Sequence, residues 1–233
     1  MDTSANIITT MGIIADEVYA DKGQNYFKDL YDENGKKITQ FLSANGTIYE
    51  VVTSTGYNDI IGDSSLNGFQ ALLLKSGTQY VIAFRGTDSL LDGIIDITAL
   101  PLCNYNPQYA SAVEFVNNAL AMPGIDKSNL TLTGHSLGGI LTQQVGASLS
   151  IKGYAYNPWG ADVLTKYPPN GTLNIVARVL EAVGVYTSSA EAFAKDNIAN
   201  ISYQDGGNLN GDFLSNLATG LISQHLGDAF IPI

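Results

Sequence analysis

The chain of 233 residues holds one cysteine, Cys103, and two histidines, His135 and His225. A lone cysteine excludes an intrachain disulfide framework and any multi-cysteine zinc site. Two imidazoles leave almost no room for a histidine-ligated metal centre, and any chemistry needing imidazole must use one of them. Cations are scarce as well: 11 Lys plus Arg stand against 22 Asp plus Glu, a formal net charge of −11. That balance argues against gripping nucleic-acid phosphates and against electrostatic attraction to anionic membranes. Charged residues are only 14% and hydrophobic ones 45%, which excludes a disordered chain and supplies a large core. No run approaches the ~18 consecutive apolar residues of a membrane-spanning helix. The start, MDTSANIITTMGIIADEVYAD, lacks a basic n-region and carries acidic residues early, so it does not read as a Sec signal peptide. The expected location is the cytoplasm, or outside the cell by a Sec-independent route.

Apolar residues at Ile7, Ile8, Met11, Ile14, Ala15 and Val18 recur with a helical period. Residues 25–46 are polar and turn-rich, with Asp32-Glu33-Asn34-Gly35 a reverse-turn signal. Strand patterns follow at 47–54, 68–75 and 79–84, the last two joined through Ser76-Gly77-Thr78 as a hairpin. Helical spacing at 109–121 precedes a short buried-strand signal at 130–133, a helix at 140–149 and a strand at 153–157 stopped by Pro158. Helices are expected at 173–184 and 188–197, a final core strand at 198–203, and helical spacing again at 213–226. Strands and helices alternate from residue 79 onward, which predicts a mostly parallel sheet covered by helices. No repeat, low-complexity tract or linker interrupts the chain, so residues 1–233 are expected to form one α/β domain.

Gly134-His135-Ser136-Leu137-Gly138 fits G-x-S-x-G, and Gly139 extends it. The pattern requires a strand that delivers into a sharp turn and a helix that leaves it, with serine at the apex. The strand at 130–133 and the helix at 140–149 supply both. Serine then sits at a helix N-terminus, where unpaired amides favour developing negative charge. The plainer alternative is a glycine-rich turn whose serine only caps the helix. A nucleophilic serine needs a base. His135 adjoins Ser136, and neighbouring side chains at such a turn diverge. That leaves His225, which lies downstream as the Ser…Asp/Glu…His order requires. The acid that orients the imidazole falls between them. Glu181, Glu191 and Asp196 sit in helical patterns and read as solvated charge, and Asp162 comes early. Asp205 and Asp212 both lie past the strand at 198–203, and the residues alone leave them even. Backbone amides must hold the oxyanion: one comes from the residue after the nucleophile, Leu137, and the other from a loop after an earlier strand. The strand at 79–84 ends in such a loop, which makes Thr87 the candidate. Arg85 and Asp88 read as a loop-stabilising ion pair.

Phe84-Arg85-Gly86-Thr87 at a strand end, followed by Gly134-His135-Ser136-Leu137-Gly138-Gly139, resembles the class 3 (fungal lipase-like) family of α/β-hydrolases. The resemblance is clearest over 79–159 and resumes weakly over 198–225. It implies the α/β-hydrolase fold, Ser136 as nucleophile, His225 as base, and Thr87 and Leu137 as oxyanion-hole residues. The family's acid lies in a D-x-V-P-like segment, which Asp212-Phe213-Leu214-Ser215 matches better than the run from Asp205, so the resemblance favours Asp212. It also implies a lid in the slot filled by 89–105, where Leu90, Leu91, Ile94, Ile95, Ile97 and Leu100 could dock on lipid. An ordinary core segment is the competing reading.

Residues 205–212 are rich in oxygen ligands, but Gly206 occupies the place of the first EF-hand aspartate. A polar turn is therefore expected there, with calcium as the lesser reading, and no cofactor is expected. The activity implied is carboxylic ester hydrolysis by a Ser-His-Asp triad, first on acylglycerols at a lipid–water interface. A phospholipase A1 or short-chain esterase is the alternative, and a catalytically silent lipid-binding module is the rival outside enzymes.

Overall fold

The computed structural model describes residues 5–18, 28–31, 37–42, 47–54, 68–86, 106, 108–158, 189–202 and 228–232. Its elements are α1 (Ala5–Glu17), β1 (Lys28–Tyr31), β2 (Lys37–Leu42), β3 (Ile48–Ser54), β4 (Ala71–Ser76), β5 (Gln79–Phe84), α2 (Tyr109–Leu120), β6 (Leu130–His135), α3 (Leu137–Leu149), β7 (Gly153–Tyr156), α4 (Ser189–Asn197), β8 (Ile198–Ser202) and β9 (Asp228–Pro232).

Ser76 pairs with Gln79 across β4 and β5, leaving Gly77-Thr78 as a two-residue hairpin loop. Gly77 has φ +58 with open space around it, the conformation that a Gly-X loop supplies at no steric cost. Strands β1 to β5 pair antiparallel and β5 to β9 pair parallel. Among the described residues the sheet therefore has nine strands in sequence order. Two differences from the sequence reading stand out. The polar run 25–46 contains β1 and β2, short hydrogen-bonded strands whose composition carries no alternation to announce them. The strand at 198–202 is not the last, because β9 adds beyond it, and Pro232 is tolerated at its end because β9 is an edge strand among the described residues. The helices expected at 173–184 and 213–226 lie outside the described residues.

Period-2 alternation divides the core. Leu72, Leu74, Val81, Ala83, Tyr154, Tyr156, Ala199 and Ile201 face α1 through Ile8, Met11, Ile14 and Ala15. Leu73, Tyr80, Ile82, Phe84, Leu130 and Leu132 face α2 and α3 through Phe115, Val116, Leu141 and Val145. Helix α3 packs on β5 to β8 and on both α2 and α4, whereas α1 lies against β5, β6 and β7. This mixed sheet covered by helices, with a strand turning sharply into the central helix, is the α/β-hydrolase fold. Thr133 ties α1 down: its Oγ1 reaches the carbonyls of Met11 and Tyr154, each at 3.1 Å. Helix α3 is buried from Leu137 to Ala147, so its polar side chains need partners. Thr142 Oγ1 donates to Gly138 O at 2.9 Å, and Asn106 Nδ2 donates to Gln144 Oε1 at 3.2 Å.

Candidate active site

Strands β6, β7 and β8 run parallel, so their carboxyl ends meet at one edge of the sheet. Ser136 stands there, between the end of β6 and the first turn of α3, with φ 56 and ψ −120. A side chain with a Cβ rarely adopts that backbone, and such strain persists only where surrounding contacts hold it. The contacts are specific. Ser136 N donates to Tyr156 O at 3.0 Å, and Ser136 O accepts from Ile140 N at 3.1 Å. A Cβ at Gly134 would lie 2.3 Å from Gly138 O, and one at Gly138 would lie 2.1 Å from Phe84 O. At Gly139 it would meet Pro158 Cβ at 3.0 Å and Tyr156 O at 3.2 Å. Gly134 and Gly138 are thus places where backbones pass too closely for any side chain, and Gly139 is a tight but less absolute approach.

The capping alternative fails on one observation: Ser136 makes no side-chain hydrogen bond to the first turn of α3. Its backbone is strained and its hydroxyl is not used to cap the helix. Leu137 opens α3, so its N–H belongs to the first turn, whose amides have no partner within the helix. The end of β5 lies against the same turn, since Phe84 O and Arg85 C are the atoms nearest the Gly138 Cβ position. Arg85 is buried. Its N–H donates to Gln70 O at 3.0 Å and its guanidinium donates to Gln70 Oε1. The side chain thus bonds to the segment leading into β4, where the sequence suggested Asp88, which lies outside the described residues.

Thr87, Asp205, Asp212 and His225 also lie outside the described residues, as does the lid candidate at 89–105. Their chain positions are nonetheless bounded. In chain order the segment carrying Asp205 and Asp212 follows β8, whose carboxyl end lies at Ser136's edge of the sheet, whereas Asp228, three residues after His225, opens β9 level with Ala199 at the opposite edge. His135 falls on the opposite face from Gly134 by strand alternation. It lines a cleft of about 380 Å³ together with Ile8, Gly12, Ile13, Tyr156 and Ile201. Sequence reasoning missed this cleft, and with it the part of Tyr156, whose carbonyl anchors the Ser136 amide and whose hydroxyl donates to Ile8 O. Burial, then the neighbouring Tyr154, pushes the Tyr156 phenol well above its ordinary range. Among the described residues no group of three or more His, Cys, Asp or Glu side chains could hold a metal ion. No helix among them is long and apolar enough to cross a membrane.

The phospholipase-like family described as the Tle-like phospholipase domain matches residues 10–166, a span holding α1 from Thr10 onward, the Phe84-Arg85-Gly86-Thr87 run and the whole serine turn. The class 3 resemblance therefore stands at the level of a lipase-like hydrolase. No functionally curated protein matches the chain. Among solved structures, acetyl xylan esterase 1 from Thermoanaerobacterium sp. JW/SL YS485 is similar at 10% identity and TM-score 0.36, covering 96% of this chain and 85% of that one. The acetyl xylan esterase from Paenibacillus sp. R4 is similar at 10% identity and TM-score 0.33, covering 100% and 89%.

Proposed function

The chain belongs to the Tle-like phospholipase domain family, and we propose that it hydrolyses carboxylic esters of lipids through Ser136, with glycerophospholipids as the favoured substrate class. The family's name moves the emphasis from acylglycerols to phospholipids. The single observation that supports a working nucleophile is the strained backbone of Ser136 (φ 56, ψ −120) with no capping bond from its hydroxyl. A silent lipid-binding module of this fold would have no use for such strain.

In the proposed reaction Ser136 Oγ attacks the ester carbonyl while His225 accepts its proton. The amides of Leu137 and Thr87 hold the oxyanion. Asp212, or Asp205 in its place, steadies the imidazolium. The ester C–O bond then breaks, the leaving alcohol takes the proton from His225, and Ser136 carries the acyl group. Water gives a proton to the same imidazole and attacks the acyl-enzyme, releasing the carboxylic acid and restoring Ser136. Every step uses protein groups and water, and the proposal invokes no cofactor. With a net charge of −11, apolar contact rather than charge would bring the protein to a lipid surface.

The test is labelling by a fluorophosphonate together with fatty-acid release from phosphatidylcholine vesicles, a triacylglycerol emulsion and soluble 4-nitrophenyl acetate. Labelling confined to Ser136, and release from phosphatidylcholine lost in Ser136→Ala, are expected. Absence of both labelling and release would overturn the proposal. Release only from the emulsion would return the substrate class to acylglycerols, and release only from the acetate would make the protein a short-chain esterase.

A further inference from the structure

The cleft between α1 and the carboxyl ends of β6, β7 and β8 has no part in the chemistry above. The geometry points to it as the binding site for a neutral aliphatic chain, the acyl chain of the ester that Ser136 attacks. This inference rests on the ester-hydrolase reading and adds where the substrate's apolar part lies.

Position comes first. His135, on the wall of the cleft, is bonded directly to Ser136, and Tyr156, also on the wall, holds the Ser136 amide through its carbonyl at 3.0 Å. A chain lying here therefore passes beside His135 and Tyr156, which adjoin Ser136 along the chain and through its amide, although Ser136 itself does not line the cleft. Chemistry comes second. Ile8, Ile13, Ile201 and the ring of Tyr156 supply apolar wall, and the phenol's hydroxyl is occupied by Ile8 O. Asp16, also lining the cleft, is solvent-exposed. A carboxylate there works against an anionic headgroup, and the apolar wall favours an uncharged aliphatic chain. Size comes third: about 380 Å³ falls within the roughly 300–1,000 Å³ of small-molecule sites.

Gly12 explains how the helix can sit so close to the strand ends. A Cβ there would stand 2.9 Å from Tyr156 Cε1, so only glycine lets α1 seat against the ring without displacing it. A glycine inside a helix is locally unfavourable, and here it fixes the spacing between α1 and the wall.

Two variants narrow the cleft from α1: Thr9→Trp at an exposed position and Ile13→Trp at a half-buried one. Thr9→Trp keeps the test valid if Ile13→Trp fails to fold, as judged by circular dichroism. The first readout is the ratio of kcat/KM for 4-nitrophenyl decanoate to that for 4-nitrophenyl acetate. It is expected to fall at least tenfold in the folded variants. The second needs no catalysis: 1-decanol displacing N-phenyl-1-naphthylamine from Ser136→Ala protein, expected to weaken at least tenfold when either tryptophan is added. An unchanged ratio, or decanol binding that is absent or indifferent to both tryptophans, overturns the inference. If no ester is hydrolysed but decanol binds and the tryptophans block it, the cleft assignment stands and the ester-hydrolase reading falls.

Discussion

Replacing Ser136 by glycine should make the protein more stable while abolishing catalysis, and replacing it by alanine should abolish catalysis without that gain. At φ 56 and ψ −120 a residue with a Cβ stores ~1–3 kcal/mol of backbone strain. Glycine removes the strain, but its freer unfolded chain takes back ~0.5–1 kcal/mol. The balance is a gain of about 0–2.5 kcal/mol, centred on ~1 kcal/mol, and for a chain of this length each kcal/mol raises Tm by roughly 2–4 °C. Alanine keeps the Cβ and therefore the strain. Since Ser136 makes no side-chain cap bond, alanine should lie within ~0.5 kcal/mol of the parent. Both variants retain the backbone N–H bonded to Tyr156 O, so that anchor cancels from the comparison.

The capping alternative predicts a different order. There Ser136→Ala would lose ~0.5–2 kcal/mol and Ser136→Gly a few tenths, both destabilising. Paired urea melts followed by circular dichroism, repeated by calorimetry, measure the difference between the two variants directly. A glycine variant no more stable than the alanine variant would refute the claim that this backbone is strained for the sake of the serine.

Three further predictions follow from neighbouring contacts. Gly138→Ala places a Cβ 2.1 Å from Phe84 O, a backbone atom that cannot swing away. It should cost about 3 kcal/mol or more and reduce phosphonate labelling, against ~1–2 kcal/mol for Gly77→Ala, where only φ +58 is at issue; similar melting curves for the two would contradict the close approach. Asp212→Asn should lower turnover far more than Asp205→Asn, and the reverse outcome in initial rates would make Asp205 the acid. Tyr156 binds its proton more tightly when folded than its ordinary value of 10.0, so its stabilising share is complete below pH 10 and is lost as pH rises beyond it. Tyr156→Phe should flatten the fall in stability between pH 10 and 12, and an unchanged slope in urea melts across that range would count against the burial of the phenol.

Most of the framework from β3 onward is legible in the residues because each element has one dominant signal. Strand β5 is apolar to both sides, Gly77 marks its hairpin, and the helical period of 109–121 has no competing reading. Strands β1 and β2 escape notice because they lie in a polar, turn-rich run, where pairing along the backbone carries the strand and no side-chain alternation is needed. Strand β9 escapes because Asp228 and Pro232 suit an edge and argue against a core strand. At the site, the serine and its three glycines are legible because the steric demand falls on consecutive residues. The cleft is not, because its walls come from α1 and three strands that only the folded sheet brings together.

The elbow itself shows why the motif has the spacing it does. Strain at Ser136 must be resisted from more than one side, or the backbone would relax to an ordinary helix start. Phe84 O closes on Gly138 from β5, Tyr156 O and Pro158 close on Gly139 from β7, and Gly138 O closes on Gly134 from α3 itself. Strand β6 lies between β5 and β7, so each flanking strand presses on one glycine of the following helix. A Cβ at Gly134 or Gly138 would collide with backbone and release the turn, and one at Gly139 would crowd Pro158 and Tyr156 O. The same pressing carries Arg85 to the N-terminus of α3. The geometry of the serine turn and the packing of the sheet are therefore one constraint. A substitution that loosens the β5 or β7 contact should lower activity and remove the strain penalty together, which a serine turn held independently of the sheet would not do.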